Sequence, residues 1–331
     1  MQQKMKYYHI CLSGKDEIMF RTDEDYCRAI NCMALAAYKT NSKILAYAFM
    51  STHVHLCIRT DHPYKVITIY RYAYTRYFNA KYKRHGKLGE RHPFVIELEG
   101  LYHTLTAICY ILRNPLHHGV SETAFGYPYT SIHAYFRKAM GKTPIPEDML
   151  LATKLHYRHL PYMAPRPNGY NMNRHGAFTA ESFISTTEVE HMFVTGRSFC
   201  FYMNRISSEE WIREQEKDNN NAPIITLKKI ESGIRYNSME EMLNNEHGRA
   251  DYNRISDIGL CRLIDESTPD GETLYTLTDK EKKRIFLRLC KNLKTDARQL
   301  QRCLALSVRD IDGWLDSSMS RTGNAKNVQN K

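Results

Sequence analysis

Two apolar runs, residues 44–50 (ILAYAFM) and 53–58 (HVHLCI), are separated only by Ser51 and Thr52. A two-residue link joins strands only when they lie side by side and antiparallel, because a parallel return needs a crossover of a dozen residues or more. Residues 7–12 (YYHICL) and 94–98 (FVIEL) read as further strands on either side of this hairpin. Residues 26–38 carry Ile30, Met33, Ala34 and Ala37 at helical spacing behind the N-cap chemistry of Arg21-Thr22-Asp23-Glu24-Asp25, and residues 64–83 read as a long basic helix. Residues 102–114 (YHTLTAICYILRN) are helical again, and Pro115 is expected to end that helix, since its ring disfavours helical geometry in the residue before it. The order βαββαβ plus one helix predicts an α+β fold: a ferredoxin-like (split βαβ) antiparallel sheet with helices, followed by a mainly helical carboxy-terminal region.

Residues 1–142 are expected to form one domain. Pro144, Pro146, Pro161, Pro165 and Pro167, then the polar run at 168–176, mark residues 143–235 as an irregular connector, with a second polar break at 218–223. Helical periodicity returns over 236–320, clearest at 279–292 and 295–315. Residues 296–315 have the pattern of a helix-turn-helix, with Leu300, Leu304, Leu306, Ile311 and Trp314 as its core. Ser307 would cap the second helix and Arg309 would face DNA. Two packed helices with no DNA role fit the same pattern.

Of 331 residues, 42% are hydrophobic and 25% charged, which excludes wholesale disorder. Lys and Arg number 47 against 36 Asp and Glu, a net charge of +11, so a polyanion is the first partner to consider, nucleic acid ahead of a membrane surface. Residues 1–180 carry +12, residues 181–280 carry −8 and residues 281–331 carry +7, which makes the two ends the candidate nucleic-acid surfaces. No apolar stretch approaches the ~20 residues of a membrane helix and the start lacks a signal-peptide core, so a cytoplasmic protein is expected. Nine scattered cysteines without a Cys-x-x-Cys read as reduced thiols.

His53-Val54-His55 carries the most specific chemistry. Side chains alternate along a strand, so both imidazoles project from one face with Cα atoms about 6.6–7 Å apart, close enough for one divalent ion. Two solvated strand histidines fit the bare motif equally. Cys57 shares the face but stands about 13 Å along the strand from His53, too far to share an ion with it. On the next helix Tyr110 and Asn114 are four residues apart and lie on one face. A phenol and an amide oxygen facing two imidazoles would supply a nucleophile and a third metal ligand, leaving about three octahedral positions for water and phosphate oxygens. An ordinary half-buried tyrosine fits the spacing too. Along residues 65–91, Lys65, Arg71, Arg76, Lys81, Lys83, Arg84, Lys87 and Arg91 stand against Glu90 alone, with tyrosines interleaved. Such a helix can hold phosphates and stack unpaired bases, although one of its faces must pack on the sheet. Arg113 beside Asn114 is a further candidate contact.

The run ILAYAFMSTHVHL (44–56), the basic aromatic helix YTRYFNAKYKRHG (74–86), YILRNPLHHG (110–119) and YPYTSIHAY (127–135) together resemble the HUH-type single-tyrosine transposases, in particular the REP-associated tyrosine transposases. The resemblance covers about residues 7–140. It implies that His53 and His55 are the metal-binding pair, Asn114 the additional ligand and Tyr110 the nucleophile. It further implies a Mg²⁺ or Mn²⁺ cofactor and a single-stranded DNA partner with a hairpin, cut through a covalent 5′-phosphotyrosine intermediate. Duplex DNA at the carboxy-terminal region and a second copy of the chain are further candidate partners. The chain departs from the family in having Ser51-Thr52 where Pro-Asn is usual before the first histidine, and Gly89-Glu90-Arg91-His92 where Phe-Gln-Gly-Arg often follows the basic helix. The alternatives are a rolling-circle replication initiator or relaxase-type nickase, and, in another class, a domesticated, non-catalytic DNA-binding regulator.

Overall fold

The computed structural model describes residues 5–14, 17–143, 145–161, 164–165, 167–204, 255–293, 295, 297–306 and 314. Strand β1 (Lys6–Ser13) leads through α1 (Asp23–Lys39) to the hairpin β2 (Lys43–Met50) and β3 (His53–Thr60), then through α2 (Pro63–Tyr82) to β4 (Phe94–Leu98) and α3 (Gly100–His117). The sheet order is β2-β3-β1-β4 with every neighbouring pair antiparallel, the split βαβ arrangement expected from the sequence. Local chemistry sets the helix ends. Thr22 and Asp25 form a reciprocal capping box at the start of α1, and Pro63 opens α2, where its missing N–H has no intrahelical partner to lose.

The two faces of the sheet differ in kind. One packs against α1 and α2 through an aromatic core in which Phe20, Phe49, Tyr70 and Tyr74 meet ring to ring. The other carries Ala46 and Ala48 opposite Cys57 and His55, and these small side chains leave room for α3. Pro115 does not end α3 as expected. The helix runs on to His117, so the ring removes one ladder donor within its last turn, where the loss is smallest, and the His118 N–H still reaches the Asn114 carbonyl at 3.0 Å.

The described part of the connector is folded onto this domain. Buried Asn31 of α1 donates to the carbonyls of His159 and Gly176, at 3.2 and 2.7 Å, and accepts from the Phe178 N–H at 2.8 Å. The Ser185 N–H bonds the Ile44 carbonyl at the outer edge of β2. This contact follows α4 (Ala180–Phe183), and the next helices, α5 (Thr186–Phe193) and α6 (Gly196–Asn204), place Val189, Phe193, Phe199 and Met203 in the core that the sheet shares.

Three carboxy-terminal helices, α7 (Asp257–Asp265), α8 (Asp279–Asn292) and α9 (Ala297–Cys303), enclose a second core of Leu260, Ile264, Phe286, Leu300 and Leu304, into which Ile18 inserts from the first domain. The buried Arg21 guanidinium joins the two, donating to the Cys303 carbonyl at 2.7 Å and to Asp265 at 2.9 Å. Asp257 accepts from Arg302 at 2.8 and 3.1 Å, from Gln299 at 3.0 Å and from the Ser51 hydroxyl at 2.6 Å. Burial pushes this carboxyl up, but Arg302 and the neutral donors outweigh it and hold it below the usual carboxylate range. Leu300, Leu304 and Leu306 are buried, as a helix-turn-helix and two packed helices with no DNA role both require, and Trp314 packs on Phe286, whereas Ser307, Arg309 and Ile311 lie outside the described residues. Among the described residues no helix is long and apolar enough to cross a membrane.

The Arg302–Asp257 pair is 6% and 8% exposed at its side chains. Removing one partner of a buried pair strands the other charge, so Arg302→Met should cost about 3–5 kcal/mol in denaturant unfolding. Lys6→Met, which breaks the solvent-exposed pair with Glu97, should leave the transition midpoint in place.

Candidate active site

Strand alternation and α3 together build a cluster of imidazoles. His53 and His55 project from the α3 side of β3, and His9, on the neighbouring strand β1, projects from the same side. All three are fully buried. His9 Nε2 and His55 Nδ1 share a hydrogen bond at 3.1 Å, with their rings stacked at 5.3 Å. On α3, Tyr110 and Asn114 face this strand pair, as their spacing predicts. The Tyr110 ring meets His55 edge-on at 5.2 Å and His9 at 5.9 Å. His53 Nε2 donates to Asn114 Oδ1 at 3.1 Å, and the Thr52 hydroxyl bonds His53 Nδ1 at 3.0 Å. Because α3 continues past Pro115, His118 reaches His53 with rings 5.4 Å apart, and His117 lies 6.2 Å from Tyr110.

Burial dominates the electrostatics. Desolvation lowers His9 to about 3 and His53 to about 4, the latter against the raising effect of the Asn114 bond. His55 is held well below its ordinary value by burial and then by the neighbouring histidines, and His118 likewise. The cluster is therefore neutral at physiological pH, with lone pairs to offer and no charge to repel a cation. Burial also pushes the Cys57 thiol up, which disfavours the thiolate that a metal would need.

The residues fit a divalent ion with a mixed ligand set. His53 Nε2 and Asn114 Oδ1 are 3.1 Å apart, the separation of adjacent ligands on an octahedral ion with bonds of about 2.1–2.2 Å. His55 Nε2 is buried without a hydrogen-bond partner among the described residues. Although five imidazoles lie ring to ring, no three His, Cys, Asp or Glu side chains converge on a point among the described residues. A third protein ligand beside His53 and His55 would thus be the Asn114 amide.

The cations of residues 65–91 divide into tethers and exposed groups. Lys81 binds Thr22, Glu24 and Asp25 at 2.7–2.9 Å, Arg84 grips Glu17 through two nitrogens, and Lys83 donates to the Gly271 carbonyl. These three tie α2 to the amino-terminal loops and the carboxy-terminal region. Arg71 donates to the carbonyls of Leu88, Glu90 and Arg91, bracing the following loop. Lys65, Arg76, Lys87 and Arg91 are exposed, and Arg113 is half-buried on α3. Arg71, Tyr72, Arg76, Lys87 and Arg91 line a cavity of about 320 Å³, with the Arg76 guanidinium 5.4 Å from the exposed Tyr72 ring. That loop is fastened beside the histidines: the Glu90 N–H bonds the carbonyl of Ser13, the residue paired with His53. Gly89 sits at φ +74 with its Cα facing the same carbonyl, where a Cβ would stand 2.6 Å away.

Sequence reasoning missed His9, His117 and His118. The register of β1 would have shown His9, since a strand paired antiparallel to β3 presents its own alternate residues to the same face. The other two were hidden by ending α3 at Pro115.

Residues 2–95 match the family model described as "Transposase IS200 like". The resemblance to the single-tyrosine transposases is borne out over that segment, which includes His53 and His55 and ends before α3. Among solved structures the chain is similar to one described as "Structure of the REP associates tyrosine transposase bound to a REP hairpin", at 14% identity and a TM-score of 0.36, over 43% of this chain and 85% of that one. No curated protein matches the chain.

Replacing Asn114 by aspartate would set an acid where His53 now has a neutral acceptor. An adjacent carboxylate favours the charged imidazolium, so Asn114→Asp should raise the His53 pKa above its value of about 4, measured by NMR titration of the ring.

Proposed function

We propose that the chain is a metal-dependent single-tyrosine DNA transposase that nicks and rejoins single-stranded DNA. The observation that carries this reading is the placement of the Tyr110 ring against His55, one helical turn from an amide oxygen bonded to His53. A phenol of ordinary pKa is only about 0.1% ionised at neutral pH and needs assistance to attack a phosphodiester. A divalent ion, Mg²⁺ or Mn²⁺, bound through His53, His55 and Asn114 would polarise the scissile phosphate and offset the charge developing on its oxygens. Tyr110 forms the new bond from its oxygen to phosphorus while the phosphorus bond to the 3′-oxygen breaks, and the phenol proton is balanced by the one taken up at the departing 3′-hydroxyl. The resulting 5′-phosphotyrosine keeps the energy of the cleaved bond, so a second 3′-hydroxyl can reverse the step and join a new strand.

The chain's own residues supply orientation and dryness. His9 fixes His55 through Nδ1, leaving Nε2 without a hydrogen-bond partner among the described residues, and α3 covers the cluster so that charges there are poorly screened. Strand binding falls to the exposed cations Lys65, Arg76, Lys87 and Arg91, with Tyr72 as a stacking platform. A DNA hairpin partner accords with the description of the similar structure, and the basic segment at 281–310 is the candidate surface for duplex DNA.

A labelled oligonucleotide with a hairpin and an unpaired flank, mixed with the full chain and Mg²⁺ or Mn²⁺, should give a covalent protein–DNA adduct. Tyr110→Phe should abolish it, and an adduct that persists in this variant sinks the assignment. Tyr72→Ala should weaken binding of the unpaired flank by about 1–3 kcal/mol in fluorescence anisotropy while leaving the hairpin stem unaffected.

A further inference from the structure

The turn before His53 is held from outside. A two-residue hairpin is self-supporting when its residues adopt the left-handed conformations of type I′ or II′ turns, whose twist matches the strands. Neither Ser51 nor Thr52 has a positive φ, so this turn lacks that support. External bonds replace it. The Ser51 carbonyl accepts from the N–H groups of Met19 and Phe20, at 2.8 and 3.3 Å, and the Thr52 carbonyl from Gly14 at 2.6 Å. The Ser51 hydroxyl donates to Asp257, at the first position of α7 and more than two hundred residues away.

From Asp257 a series of buried and half-buried hydrogen bonds, joined by the Ser51–Thr52 backbone, leads to the histidines. Arg302 and Gln299 of α9 fix the carboxylate, which fixes Ser51. The next residue, Thr52, bonds His53 Nδ1, and His53 Nε2 meets Asn114. The Thr52 hydroxyl can donate to Nδ1 or accept from it, so it holds the ring both when Nε2 bears the proton and when Nε2 is freed to bind a cation.

We infer that the carboxy-terminal helices position the His53 imidazole for cation binding through the Asp257–Ser51 and Thr52–His53 hydrogen bonds. Asp257, Ser51 and Thr52 are positioning residues, and α7 and α9 are part of the cleavage unit. This inference rests on the metal reading given above.

The test uses the full-length chain with Mn²⁺ alone, read by electron paramagnetic resonance, alongside the imidazole ¹⁵N shifts of His53 without metal. Ser51→Ala and Asp257→Asn should each weaken Mn²⁺ binding by about 10-fold, the usual scale for a lost outer-sphere support, and should move the His53 shifts. Ser51→Thr, which keeps the hydroxyl, should restore both. Asp265→Asn loosens the same docking through Arg21 without touching the hairpin, and should change neither. A wild-type chain that binds no Mn²⁺ refutes the metal reading and with it the cation part of this inference, while the metal-free shifts still decide the positioning. Shifts and Mn²⁺ affinity both unchanged in folded Ser51→Ala and Asp257→Asn overturn it.

Discussion

Everything at the site depends on α3 lying flat across the sheet face that carries His9, His53 and His55. That packing requires small residues beneath the helix, and Ala46 and Ala48 on β2 with Ala107 on α3 provide them. Close approach brings the Asn114 amide to hydrogen-bonding distance of His53 and the Tyr110 ring edge to His55. It also removes water, and the loss of water keeps the imidazoles neutral. Geometry and electrostatics thus have a single cause: the same burial that fixes the rings leaves them uncharged, with His55 Nε2 lacking a hydrogen-bond partner among the described residues.

The opposite face of the sheet shows how the net charge of +11 is used. Lys81 and Arg84 serve the fold, pairing with Asp25 and Glu17, and Arg71 saturates the carbonyls of the loop that follows α2. Among the described residues, Arg76, Lys87 and Arg91 stay exposed around one cavity that Tyr72 also lines, and the loop there is braced against the strand end beside His53. Cations that hold the loop in place are as necessary to that surface as those it displays.

Much of the fold was legible because short-range signals agree in it. The two-residue hairpin, the Thr22–Asp25 cap and strand alternation each depend on a few neighbouring residues, and the structure follows them apart from a register shift between Ile44 and Ala46. The pairing of Tyr110 with Asn114 and of His53 with His55 is legible for the same reason, since periodicity alone places each pair on one face. Long-range facts were not. Nothing local says that Ser51 meets Asp257, that Asn31 threads the connector onto α1, or that Lys81 is taken by Asp25, because such contacts appear only once the chain has folded back. Pro115 misled for a different reason: it stands within the last helical turn, where one lost N–H donor matters little against the packing of Leu112 and Asn114.

Arg21 sits where the two cores meet, 1% exposed, with both of its described acceptors on the carboxy-terminal helices. Were those helices to separate, the guanidinium would lose both of these acceptors and the cover that they give it. Ile18, three residues earlier, would be stripped of the second core in the same event. The two halves are therefore coupled in stability: they are expected to melt in a single cooperative transition, and evolution or engineering could not exchange the carboxy-terminal helices for another module without also rewriting the loop that precedes α1.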